Sequence, residues 1–214
     1  MHDGHAKGPK VAGCVITGDD TGRVLASLAV YLACMARGVC IAILAAAIPD
    51  MALASGVAPT LFGEVFTSRG LGFFFGTLAS AQLAKLLPLY PKHYLAAVSI
   101  LLSGLASYML SQTADFHTMC MMAAMQGAGF GGVHTFATLA LMTMWGQRVQ
   151  PWMQVKPTAL GAGGMLGPLL LSAYGYRVAF GIAAVICCAT VLALIAEYFA
   201  AGYICTLSSE GGSE

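Results

Sequence analysis

The ionisable side chains Arg37, Glu64, Arg69 and Lys156 stand inside long apolar runs. A charge at the centre of a bilayer costs about 2.5–3.5 kcal/mol on insertion scales, so a charged group held there has a partner or faces water. Position along the runs puts Arg37 near the middle of its run and Arg69 somewhat outward of the middle. Glu64 falls close to the outer end and Lys156 toward the inner one. Lys156 is expected to snorkel, its stem in hydrocarbon and its ammonium among headgroups. Arg37 is left with two readings, a structural pair with Glu64 or a backbone carbonyl, or a water-filled cavity open to solute. One acid cannot neutralise two arginines, so the cavity is the favoured reading.

A second polar set, Gln126, His134, Thr135 and Thr138, lies in one apolar run. At about 100° per residue, Gln126, His134 and Thr138 fall within about 120° of one another and form one flank that should face inward. Amide and hydroxyl groups there can hydrogen-bond a solute. A histidine of ordinary pKa near 6.5 is either a satisfied interior group or a proton carrier. Arg37, Gln126, His134 and Thr138 are therefore the candidate lining of a solute path. Enzyme chemistry is not expected, because there is no Gly-x-Ser-Gly turn with a later histidine, no HExxH and no pair of intramembrane aspartates. No CxxC or Cys/His spacing indicates a metal, and no cofactor is expected. Cys34, Cys40, Cys120, Cys187 and Cys188 read as small apolar fillers, with only Cys14 and Cys205 near or beyond the ends of the runs.

The elements that must position these groups are six apolar runs, at 24–48, 60–84, 94–112, 117–143, 152–174 and 177–203. Each is about long enough to cross a hydrocarbon core of roughly 30 Å at about 1.5 Å per residue. With 58% hydrophobic and 9% charged residues, the chain carries more apolar surface than a water-soluble domain could hide. Lipid is its expected solvent. Pro49 closes the first run, Pro59 opens the second, and Pro88, Pro91 and Pro151 punctuate later connections, which are short enough to make neighbouring helices antiparallel. The polar first 23 residues lack the apolar centre of a signal peptide and read as a tail. The expected organisation is a cytosolic tail at 1–23, a six-helix bundle at 24–203 and a polar carboxyl-terminal tail at 204–214. Outside the runs, Lys7, Lys10, Arg23, Lys85, Lys92 and Arg148 lie on one side and only Arg177 on the other. The positive-inside rule then puts both termini in the cytosol, in the plasma membrane as the expected location. A net charge of +1 excludes the basic surface that nucleic acid requires.

Three runs carry glycines four residues apart: Gly72 and Gly76, Gly127 and Gly131, and Gly163 and Gly167. Such stripes let helix backbones approach closely, a main source of packing energy in lipid. They serve either contacts among the six helices or contacts with a missing partner. Pro157 and Pro168 add breakers to the glycine-rich fifth run, which is expected to bend.

The segments IPDMALASG (48 to 56), FTSRGLGFFFGTLAS (66 to 80), MQGAGFGG (125 to 132) and MWGQRVQPWMQ (144 to 154) resemble the amino-terminal half of a major facilitator superfamily transporter, most closely its sodium-dependent glucose transporter-like branch. The resemblance covers 24 to 203. It implies an all-α membrane protein, six transmembrane helices forming one half of a two-lobed bundle, with solute bound between lobes and released by alternating access. It implies a sugar as solute, with coupling to sodium or to protons, and a second six-helix half or a homodimer partner. The chain differs from the branch in having Lys85 near an acidic position, His134 and Thr138 where Asp and Asn are usual, and Pro157 in place of a His. Two alternatives stand beside sugar transport: an organic-anion transporter, favoured by three basic groups against one acid, and a non-transporting six-helix remnant or assembly partner.

Overall fold

The computed structural model describes residues 20–87 and 92–210, with side chains over 22–87 and 92–197. Lys7, Lys10, Cys14, Pro88, Pro91 and the tail beyond Glu210 lie outside the described residues, as does the side chain of Cys205. Every regular element described is helical. The order is α1 (Asp20–Ala46), a short α2 (Ile48–Ser55), a 3-10 turn (Pro59–Phe62), α3 (Gly63–Leu86), α4 (Lys92–Gln112) and α5 (Phe116–Trp145). A second 3-10 turn (Gly146–Arg148) then leads into a helical stretch Val149–Glu210. That stretch is broken at Gly175, where φ 74 and ψ 167 are non-helical, into α6 (149–174) and α7 (176–210). The backbone stays helical through Pro157 and Pro168, so the break falls where a residue without a Cβ can take a positive φ rather than at the prolines.

The helix ends follow from local chemistry. Pro49 lies in the first turn of α2, where its missing N–H costs nothing, and Gly56 closes that helix in the left-handed conformation, its N–H bonded to the Ala52 carbonyl. Asp115 caps α5, its carboxylate accepting from the Thr118 amide at 2.8 Å and the Thr118 hydroxyl at 2.7 Å. These two bonds hold the Asp115 carboxyl below the usual carboxylate range. A depressed folded-state pKa means that the cap is complete above the unfolded value of about 3.9 and is lost as pH falls through the folded one. The Thr118 amide resonance should therefore hold its bonded position down to about pH 4 and move below it, and Asp115→Ala should abolish that titration.

Three stretches are long and apolar enough to cross a bilayer: Gly22–Ala46, Lys92–Gln112 and Phe116–Glu197, the last taking in α5, α6 and most of α7. α3 has 24 residues and comparable length, but it carries Glu64, Arg69 and Lys85. The interior is built around Phe62, Phe130, Phe136, Phe180, Ile43 and Ile100, all fully buried. The outside is apolar as well: Leu25, Leu28, Phe74, Phe75, Leu105 and Val185 are exposed around the bundle. A ring of exposed leucine and phenylalanine on every side is a surface suited to lipid.

Small residues set the helix spacing. A Cβ at Gly72 or Gly76 of α3 would run into the Ala124 or Ala128 carbonyl of α5. One at Gly127 or Gly131 of α5 would meet the Arg69 or Phe73 carbonyl of α3. The two stripes therefore interlock as one parallel seam. A second parallel seam joins α1 to α6, with Gly163 against Met35, Gly167 against Ala42 and Gly38 against Leu160. All six stripe glycines thus pack within the bundle, and none turns to an absent partner. α4 closes on α5 through Gly129 and Gly132, which admit Ser103 and Ser99.

Candidate functional site

The two seams bring the polar residues of α1, α3, α5 and α6 to one side of the bundle. Arg37 leaves α1 beside two aromatic rings, its guanidinium carbon 5.0 Å from the Phe73 centroid and 5.9 Å from that of Phe130. Arg69 reaches the same Phe130 ring from α3, at 5.6 Å. Both arginines line a cavity of about 280 Å³ with Ile41, Phe66, Phe73 and Phe130. Gly127 of α5 also lines it, at the point where α5 and α3 approach too closely for a side chain.

No described carboxylate serves these charges. Asp50, Glu64 and Asp115 are exposed, and Glu197 lies 3.3 Å from His93, where the start of α4 meets α7. The pair between Arg37 and Glu64, one reading of the sequence, is not formed, and the Nε of Arg37 is buried without a hydrogen-bond partner. Glu64 stands instead in the first turn of α3, where a negative charge complements the helix dipole.

The basic groups continue along α5. The His134 ring packs edge-on to Phe73 at 5.9 Å, and the Thr138 hydroxyl donates to the His134 carbonyl at 2.7 Å. Lys156 of α6 donates to that same Thr138 hydroxyl. It is 7% exposed, so it turns inward to α5 rather than snorkelling to an interface. The snorkelling expectation is not met, because the ammonium is held by the Thr138 hydroxyl of α5. Arg37 and Lys156 both act electrostatically on His134, which places all three in one field. Arg37, His134 and Thr138 of the expected lining are brought together, with Arg69 and Lys156 beside them.

Gln126 is not among them. It is fully buried against α4, its amide donating to the Ser107 hydroxyl at 2.8 Å, while Ser107 in turn donates to the Ser103 carbonyl at 2.9 Å. Replacing Gln126 by leucine gives up one interhelical hydrogen bond, worth about 0.6 kcal/mol on average in a membrane protein. The change also removes its unpartnered Oε1 atom. The thermal midpoint of Gln126→Leu should therefore move by no more than about 3 °C, which a melt in mild detergent would check. The residues that sequence reading missed are Phe73 and Phe130, which carry no signal distinct from other core aromatics, and the His93 and Glu197 pair, whose members are too far apart in the chain to be matched by spacing.

At the end of the bundle where α5 turns into α6, Trp145 and Trp152 stack at 3.9 Å with an interplanar angle of 15°. The Trp145 indole donates to the Ser27 hydroxyl at 2.9 Å and the Tyr31 hydroxyl donates to the Trp152 carbonyl at 2.8 Å, fastening this turn to α1.

The described helices form a bundle with an apolar outer surface suited to a membrane and a basic cavity between three of them. The chain is 25% identical over 156 residues to sodium-dependent glucose transporter 1 of Rattus norvegicus, a match covering 71% of this chain and 31% of that protein. The likeness is distant, and the chain spans about a third of that relative's length. No family model matches the chain. No solved structure matches it either.

Proposed function

We propose that this chain is one six-helix lobe of a major facilitator-type carrier, moving a small organic solute by alternating access against a second lobe. The reading is carried by the cavity that α1, α3 and α5 share, where Arg37 and Arg69 stand without a carboxylate partner. Charges kept in an apolar bundle at a cost of about 2.5–3.5 kcal/mol each call for a use, and a solute site supplies one. Among the described residues the long helical segments number six, as one lobe requires, and the relative's name describes a transporter. The second lobe would be another copy of the chain or another six-helix subunit, with both termini of this one in the cytosol and the plasma membrane as its place. Glucose, with a sodium gradient, is the first solute to assay, because the relative is a sodium-dependent glucose transporter.

Purified protein in liposomes should show saturable uptake of labelled solute, tested with glucose and with a monocarboxylate, each with and without sodium and proton gradients. Its mass in mild detergent should correspond to two lobes. Monodisperse, folded protein that takes up neither solute under any gradient would overturn the transport reading.

A further inference from the structure

We infer that the cavity between α1, α3 and α5 binds an organic anion, a carboxylate on a flat apolar body, rather than a neutral sugar. The inference rests on the transport reading only in naming what is carried; the binding itself is independent of movement. Two guanidiniums approach one ring, Arg37 at 5.9 Å and Arg69 at 5.6 Å from the Phe130 centroid. Two like charges brought to one ring repel, and a neutral ligand leaves that repulsion uncancelled. A carboxylate in the cavity that both line offsets it and can take two parallel N–H bonds from one guanidinium. The buried Nε of Arg37 has no hydrogen-bond partner in the protein, so this charge is not already satisfied within the bundle.

The walls fix the other half of the ligand. Phe66, Phe73, Phe130 and Ile41 leave the cavity without neutral hydrogen-bonding side chains among its lining, which a polyhydroxylated sugar would need on several sides. They suit a planar apolar body instead. A volume of about 280 Å³ sits at the lower end of small-molecule sites, room for one small solute. Lys156, farther along the same face of the bundle, extends the positive field away from the cavity and gives an anion a favourable way in or out.

The test is equilibrium binding of labelled benzoate to the full chain in nanodiscs, with competition by benzamide, inorganic phosphate and glucose. Benzoate should bind saturably, and benzamide, its neutral isostere, at least tenfold more weakly. Phosphate, with the charge and no apolar body, should also compete at least tenfold more weakly than unlabelled benzoate. Arg69→Gln should weaken benzoate binding tenfold or more, while Arg69→Lys, which keeps the charge and tests the same position in a folded protein, should recover part of the loss. Equal binding of benzamide and benzoate, or unaltered binding in Arg69→Gln, would overturn the anion site. Phosphate competing as well as benzoate would overturn the apolar-body half of the assignment. Benzoate binding without uptake in liposomes would sink the transport reading and leave the site standing; glucose uptake without benzoate binding would do the reverse.

Discussion

Leucine placed at both Gly72 and Gly76 is expected to leave α3 unable to seat on α5. The Ala124 and Ala128 carbonyls lie where the new side chains would start, and both belong to backbone that cannot swing aside as a flexible side chain can. Each overpacked site costs typically about 1–3 kcal/mol, occasionally more, and two on one seam act together. The damage reaches the cavity, because Arg69 and Phe73 are positioned by the same seam through Gly127 and Gly131. Size-exclusion profiles after detergent extraction should change from a sharp peak to aggregate, and the thermal midpoint of what survives should fall by several degrees. A variant with an unchanged profile and midpoint would mean that the stripe does not set the spacing.

Arg37→Ala is expected to abolish uptake while leaving the chain inserted. Truncating one member of a buried, hydrogen-bonded charge contact costs about 2–5 kcal/mol, or at least about thirtyfold in transport efficiency. Insertion should be no worse, since α1 loses a charge that is unfavourable in hydrocarbon. The small-residue contacts of α1 with α6 at Met35, Gly38 and Ala42 do not involve the Arg37 side chain, so the fold has little reason to fail. Liposome uptake of whichever solute the parent protein carries, alongside a membrane-fraction blot, would separate the two outcomes. Normal uptake by the variant would remove Arg37 from the site.

The helices were legible because each reveals itself locally, through a long apolar run ended by proline, glycine or a capping aspartate. The structure shifts their limits by only a few residues, as with α3 at Gly63–Leu86 against an expected 60–84. The glycine seams were half legible: stripes spaced by four can be read from one helix, but which carbonyl fills each groove is decided by the partner. The same gap explains Gln126. It sits about 80° around the helix from His134 at about 100° per residue, close enough to share a broad flank on paper. That angle is wide enough for α4 to claim Gln126 while His134 turns to Phe73. Lys156 was misjudged for a related reason, since distance to a headgroup can be counted along the chain and distance to Thr138 cannot. Arg37 and Arg69 stood out because a charge in hydrocarbon is anomalous whatever surrounds it. Phe130, the ring that both approach, is one aromatic among many until the fold selects it.

The indole stack beside α1 has a practical side. The chain contains two tryptophans, and both stand in that one stack. Tryptophan emission consequently originates at a single address, where the turn between α5 and α6 is bolted to Ser27 and Tyr31. Any rearrangement that pries the first helix from this corner would register as a spectral shift without an added dye, and one that carries the corner along as a unit would stay dark.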